Sequence, residues 1–229
     1  MMKIVVDAGH GFETEGKRTP DGMREYEFNR EVARIAKAEL QQYKNVEVYF
    51  THADERDVPL SIRTDRANQL KADVFVSIHA NAFGSGGWNQ ASGIETYVHP
   101  TASAKNVELA KAVQKRLVTL TGRRDRGIKT ANFHVLRETT MPTLLTECGF
   151  MTNQEEATLL QTSAYRKKCA QAIVSGLVTF YKLMKKTSNA NEQGLYKVQI
   201  GAFSKKENAE KLAEVLEKDG YSTFIHFKS

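Results

Sequence analysis

Three short apolar runs in this sequence each end on a side chain that can hold a metal or move a proton. Residues 3–10, KIVVDAGH, read as a buried strand through Ile4, Val5 and Val6 that stops at Asp7-Ala8-Gly9 and sets His10 just past its end. Residues 73–81, DVFVSIHAN, repeat the pattern and arrive at His79, and residues 142–150, PTLLTECGF, arrive at Glu147. Open α/β sheets present ligands at the carboxyl ends of their strands. Packing alone does not account for three strands that each deliver such a group there.

Strand-like and helix-like spacing alternate along the chain, which predicts an α/β fold: a twisted, mostly parallel sheet flanked by helices on both faces. Residues 25–43 carry Phe28, Val32, Ile35, Ala36 and Leu40 at helical spacing. Residues 46–51 and 93–99 read as strands, 60–70 as a helix capped by Ser61, 103–120 as a long amphipathic helix and 164–184 as a closing helix. Residues 121–129, TGRRDRGIK, read as a basic loop and 133–136 as a short strand. Residues 82–92, rich in Gly, Asn and Ser and holding Trp88, read as a mobile loop beside the site.

Residues 186–194, KTSNANEQG, are polar and read as a linker between a body over 1–185 and a tail over 195–229. The tail reads as a small β-α-β unit: a strand over 195–203, a helix from Ser204 to about Glu217 with Glu207 completing a capping box, and a strand over 221–227. A unit of that length is below the size at which a domain usually folds unaided.

A hydrophobic content of 41% and a charged content of 26% allow a packed core and exclude a disordered chain. The net charge of +6 favours a polyanionic partner, but no recognition motif points to nucleic acid, so none is expected. Cys148 and Cys169 lack the spacing of a structural zinc site and are too few for a disulfide framework, so they read as buried reduced thiols. The start of the chain carries no basic segment followed by a long apolar one, and no run is long enough to span a membrane. The expectation is synthesis in the cytoplasm without a signal peptide, no membrane insertion, and action elsewhere after release.

Two imidazoles and a carboxylate with one open position make the ligand set of a catalytic zinc ion. Such an ion lowers the pKa of a water and polarises a carbonyl, and a carboxylate beside it serves as general base and then acid. His10 and His79 supply imidazoles, and Glu25 and Glu27 both stand in the first turn of a helix, where the dipole favours a carboxylate in any case. Glu147 is a carboxylate in an apolar strand, a costly placement that needs a reason. His52 and His99 also end strands, and His134 and His226 are further imidazoles, so strand position does not select the ligands. Arg63 and Arg66 read as a solvated helix face or a salt bridge.

The blocks DAGHG, Glu25-x-x-x-Asn29, SIRTDRANQLKADVFVSIHANAF, SGIETYV and RGIKTANFHVLRETTMPTLLTECGFMTN together resemble the zinc-dependent N-acetylmuramoyl-L-alanine amidases, in family order from about Lys3 to Leu183. The resemblance implies one zinc per chain held by His10, Glu25 and His79, with Glu147 as catalytic acid/base; Glu25 is preferred to Glu27 because the family's ligand lies four residues before an Asn. It implies hydrolysis, by zinc-activated water, of the amide joining the lactyl group of N-acetylmuramic acid to L-alanine of the peptidoglycan stem peptide. Arg137 would then be placed to contact an anionic stem peptide. His52, where the family often has Arg, and Cys148 beside Glu147 depart from the pattern.

The tail resembles the first half of a SPOR domain, a peptidoglycan-binding module that repeats the strand–helix–strand unit found once here. Unpaired, it would expose Ile200, Phe203, Leu212 and Phe224, which raises the expectation of a dimer through this half-module. Two other readings compete with the amidase: a zinc peptidase acting on wall stem peptides, and a catalytically silent wall-binding protein.

Overall fold

The computed structural model describes residues 1–186, 200–221 and 223–226. The chain divides into two units, Met1–Lys186 and Thr187–Ser229.

The first unit is built on six strands: β1 (Met2–Ala8), β2 (Val46–Phe50), β3 (Val74–Asn81), β4 (Ile94–Val98), β5 (Asp125–Thr130) and β6 (Thr143–Phe150). Six helices connect and flank them: α1 (Glu25–Leu40), α2 (Leu60–Gln69), α3 (Ala104–Thr121), α4 (His134–Arg137), α5 (Gln154–Gln161) and α6 (Ser163–Tyr181). The strands lie in the order β2-β1-β3-β6-β4-β5. The first four are mutually parallel, β4 runs antiparallel to β6, and β5 is parallel to β4. The fold is the expected α/β sheet, mostly parallel, with helices on both faces.

Side chains alternate across the sheet, so each strand feeds two cores. Ile4, Val6, Val74, Val76, Ile78 and Leu144 point to the face covered by α1, α3 and α6, where Phe28, Leu109, Val113, Leu117, Ile173 and Leu177 close the larger core. Val5, Phe75 and Leu145 point to the other face and meet Ala67 of α2 and Val135 and Leu136 of α4. Because α2 and α4 are short, they cover only part of that face. The strand residues beyond Val5, Phe75 and Leu145 on the same face are Asp7, Ser77, His79 and Glu147.

Several expectations are corrected. The basic stretch 121–129 is a strand over most of its length: β5 pairs with β4, and the sheet edge overrides the polar composition. Residues 133–136 do not form a strand. Phe133 caps the single helical turn α4, too short for its periodicity to be read. Helix α5 was not expected; Asn153 caps it by accepting from the Glu156 backbone N–H. Ser61 does not cap α2: Pro59 is the cap residue and Ser61 lies inside the first turn.

In the second unit the described helix is α7 (Lys206–Lys218). Its cap position is Lys205, not Ser204, so the expected capping box does not form. The strand expected over 195–203 falls partly outside the described residues, and residues 200–203 carry none. The strand expected over 221–227 is likewise absent from the residues described there. Ile200, Phe203 and Phe224 are exposed. The linker expected over 186–194 lies outside the described residues except for Lys186, whose backbone N–H is bonded to Gln42 O. Among the described residues no helix is long and apolar enough to cross a membrane.

Helices α3 and α6 touch where α6 has a glycine: a Cβ on Gly176 would lie 2.7 Å from Val113 Cα. Gly176→Ala is therefore expected to force the helices apart and cost about 1–3 kcal/mol, read as a lower denaturant midpoint. An unchanged midpoint would contradict so close an approach.

Candidate active site

Strand β1 ends in a turn that is held at almost every backbone group. Gly9 N–H donates to Ile78 O on the neighbouring strand. The Gly9 carbonyl accepts from Asn29 Nδ2 at 3.0 Å. Ala8 N–H donates to His52 Nδ1 at 3.0 Å. Arg63, buried in α2, donates from Nη1 to Asp7 Oδ1 at 2.9 Å and to the Ala8 carbonyl, from Nη2 to the His10 carbonyl, and from Nε to Val58 O. Arg63 is not on a solvated helix face: it forms a salt bridge, and that bridge is buried and grips the site.

This grip matters because His10 has φ 65, the left-handed region that a residue with a side chain rarely takes unless its surroundings impose it. Gly9 has a different constraint. A Cβ there would lie within 2.0–2.5 Å of three His79 ring atoms, so only glycine lets β1 pass the imidazole.

His10, Glu25 and His79 converge. One donor atom from each lies within 4.8 Å of the others. His10 Nε2 stands 3.1 Å from Glu25 Oε2, and His79 Nδ1 stands 2.9 Å from Glu25 Oε1. Glu25 is only 3% exposed. Its Oε1 also accepts from Asn29 Nδ2 at 3.1 Å and from the Ala80 backbone N–H at 3.1 Å. Burial would raise its carboxyl, but the two imidazoles hold it well below the ordinary carboxylate range. Glu27, the alternative, is otherwise engaged: its Oε1 accepts from the Arg24 backbone N–H and caps α1.

The hydrogen bonds around His79 bear on whether a cation fits. Ser77 Oγ donates to Asp7 Oδ2 at 2.7 Å. Burial would raise Asp7, but Arg63 beside it, with the Ser77 and Thr51 hydroxyls, keeps it below its ordinary value, so it is the acceptor. Ser77 has one proton, and it is committed to Asp7. His79 Nε2, 3.1 Å from Ser77 Oγ, must then donate. That turns Nδ1 toward the Glu25 carboxylate across 2.9 Å, where either a ring proton or a metal cation bridges the two. Two imidazoles and a carboxylate, one imidazole braced by a Ser–Asp pair, are a donor set that suits zinc.

Glu147 comes next in the same row. His79 on β3 pairs with Glu147 on β6, and Glu147 pairs with Glu95 on β4, all on the face left open by α2 and α4. Glu147 Oε2 is buried and has no hydrogen-bond partner among the described residues. Burial, with the negative charges of Glu25 and Glu95, pushes the Glu147 carboxyl well above its ordinary value.

The remaining histidines lie elsewhere. His52 accepts from Ala8 N–H, and burial pushes it down from 6.5 to about 4, so it is a neutral brace for the turn. His99 is bonded to Thr101 and Asn132, His134 is 3.4 Å from the Thr64 hydroxyl, and His226 belongs to the second unit. Arg137 is paired with Glu138 and bonded to Asn132. Cys148 and Cys169 are free, buried thiols. The loop over 82–92 is tied at Phe83 N–H and Asn89 N–H to Thr152, with Phe83 and Trp88 exposed. Residue-by-residue reading missed Asp7, Ser77 and Glu95; the argument that singled out Glu147, a carboxylate in an apolar strand, applies equally to Glu95.

Two comparisons cover most of the chain. The profile of the N-acetylmuramoyl-L-alanine amidase family matches residues 4–179, and that of the SPOR domain matches residues 192–229. The N-acetylmuramoyl-L-alanine amidase CwlM of Bacillus licheniformis is 37% identical over 229 residues, all of this chain and 86% of the relative. The sporulation-specific N-acetylmuramoyl-L-alanine amidase of Bacillus subtilis (strain 168) is 38% identical over the same shares. Among solved structures, the catalytic domain of CwlV, an N-acetylmuramoyl-L-alanine amidase from Bacillus (Paenibacillus) polymyxa var. colistinus, superposes with a TM-score of 0.74 at 36% identity, over 80% of this chain and 99% of that one.

Two outcomes follow from the turn. Arg63→Met is expected to release His10 and lower zinc affinity about 10–100-fold, measured by competition with a chromogenic chelator; unchanged affinity would contradict the grip. His52 protonates near 6.5 in the unfolded chain but only near 4 when folded. Between those values the unfolded state binds more protons, so stability falls as pH drops through that window. His52→Gln is expected to flatten that fall, measured as urea midpoints at pH 7.5 and 5; an identical slope would contradict a neutral His52.

Proposed function

The chain belongs to the N-acetylmuramoyl-L-alanine amidase family, and on that premise we propose that it is a zinc-dependent peptidoglycan hydrolase that cuts the amide between the lactyl group of N-acetylmuramic acid and L-alanine. The observation that carries this reading is the convergence of His10, Glu25 and His79 beside the unpartnered Oε2 of Glu147. His10, Glu25 and His79 would hold the metal. When bound, zinc supplies polarisation of the scissile carbonyl and lowers the pKa of a water toward neutrality. Glu147 takes the proton of the attacking water on its free oxygen and hands it to the departing amine nitrogen of L-alanine. Asn29 and the Ala80 N–H orient Glu25, and Ser77 with Asp7 orients His79.

We further read residues 1–185 as the catalytic domain and 195–229 as the part that holds the wall, supported by the SPOR match over 192–229. The setting we favour is sporulation, because the relative that carries that word in its name matches the chain over its whole length. There the protein would act on the wall after its release from the cell that makes it.

A pair of variants separates metal from proton transfer. Glu147→Gln is expected to keep a full equivalent of zinc and lose about 10²–10⁴-fold in kcat on peptidoglycan. His79→Ala is expected to lose stoichiometric zinc, measured by elemental analysis. An active Glu147→Gln enzyme would remove Glu147 from the mechanism, and a zinc-replete His79→Ala protein would remove His79 from the ligand set.

A further inference from the structure

Beside Glu147 stands a charged pair that the chemistry above does not use. Glu95 is the antiparallel partner of Glu147, so their Cβ atoms are about 5 Å apart. Glu95 is buried, yet three donors converge on it: Asn81 Nδ2, Tyr97 OH and Arg126 Nε, each at 2.7 Å. Burial would raise its carboxyl, but Arg126, Tyr97 and Asn81 together keep it below the ordinary value. A buried carboxylate given this many donors is a fixed anchor, and its cationic partner is Arg126.

Arg126 lies where the β4–β5 register shifts, and it is only partly covered. Its Nε is taken by Glu95, and one face of its guanidinium lies 4.9 Å over the Phe150 ring. Its Nη1 reaches Ser92 O only at 3.5 Å, the outer limit of a hydrogen bond, and Nη2 has no partner among the described residues. The side and the flat face are therefore held, while the end-on edge keeps only the long Nη1–Ser92 bond on a side chain that is 31% exposed. That edge matches a carboxylate in a two-pronged fit. Glu25, Glu95 and Glu147 make the neighbourhood largely acidic, with Lys17 a further cation acting on Glu147, so a guanidinium is a favourable place for an anionic ligand. Arg137, the candidate from sequence for this task, pairs with the exposed Glu138 and with Asn132 and has no buried carboxylate to aim it.

We infer that Arg126 receives a carboxylate carried by the peptide part of the substrate, on the residue that follows L-alanine, and that Glu95 is the positioning residue that aims it. The inference rests on the amidase reading. The spacing agrees with it. One strand separates β6 from β5, and the Arg126 side chain reaches back over that strand to Glu95, so the guanidinium sits roughly one to two strand spacings of about 4.8 Å from Glu147. A carboxylate one residue beyond L-alanine lies about 7 Å from the scissile amide at 3.3–3.6 Å per extended residue.

Two N-acetylmuramoyl-L-alanyl peptides test this, identical except that the residue after L-alanine bears a free carboxylate in one and a carboxamide in the other. The wild-type enzyme is expected to prefer the carboxylate about 10–100-fold in kcat/KM, with the difference in KM, because a charge-assisted pair is worth that much. Arg126→Ala is expected to collapse that preference, Arg126→Lys to restore part of it, and Glu95→Gln to weaken it in the same direction, each at wild-type zinc content. Equal kcat/KM of the wild type on the two peptides, or a preference that survives in Arg126→Ala, would overturn the inference. Cleavage of neither peptide at L-alanine would instead overturn the amidase reading on which it stands.

Discussion

Arg63 sits at the end of the first strand with 2% of its side chain exposed. A guanidinium taken out of water is costly unless every donor finds a partner, and here the partners are the parts of the site: the Asp7 carboxylate and the carbonyls of Ala8 and His10. The same charge does two jobs. It holds His10 in a left-handed backbone conformation, and it keeps Asp7 ionised as an acceptor for Ser77, which braces His79. Two imidazoles from different strands are thus oriented from one residue of α2, and the glycine between them lets β1 approach the His79 ring.

The position of the site follows from how the sheet is covered. On one face α1, α3 and α6 bury the strands along their length. On the other, α2 and α4 end early, and the strands change there from apolar residues to polar ones. His79, Glu147 and Glu95 then stand side by side on three adjacent strands. The last of these is possible because β4 reverses direction: an antiparallel neighbour places a carboxylate opposite Glu147 from a strand that begins, rather than ends, at the site. The row runs from the imidazole of His79 through the unpartnered carboxylate of Glu147 to the carboxylate that anchors Arg126, and the proposed zinc site and the proposed role of Arg126 extend it in opposite directions.

Much of this was legible in the sequence wherever an apolar run met an ionisable residue. Strands β1, β3 and β6 declare themselves because an ionisable group in or just past a buried strand has few structural explanations, although β3 and β6 run on past His79 and Glu147 to Asn81 and Phe150. Glu25 could not be told from Glu27 by spacing, since the helix dipole favours both; the bond from the Arg24 N–H to Glu27 separates them. Strand β5 was hidden because its residues are charged and glycine-containing, and its strand character comes from pairing with β4 at the sheet edge. Arg63 is hidden for a related reason: on a helical wheel it is one more basic residue, and its burial depends on the turn of β1, with His10 53 residues earlier in the chain. Glu95 was overlooked although the rule that found Glu147 covers it.

Mass spectrometry of the products from purified peptidoglycan treated with the protein, with and without a chelator, tests the proposed amidase. Stem peptides with free L-alanine amino termini and muramic acid with unsubstituted lactyl groups are expected, both lost when the metal is removed and regained when zinc is returned. Shortened stem peptides still attached to the sugar, or the same products at full rate in the chelator, would contradict it.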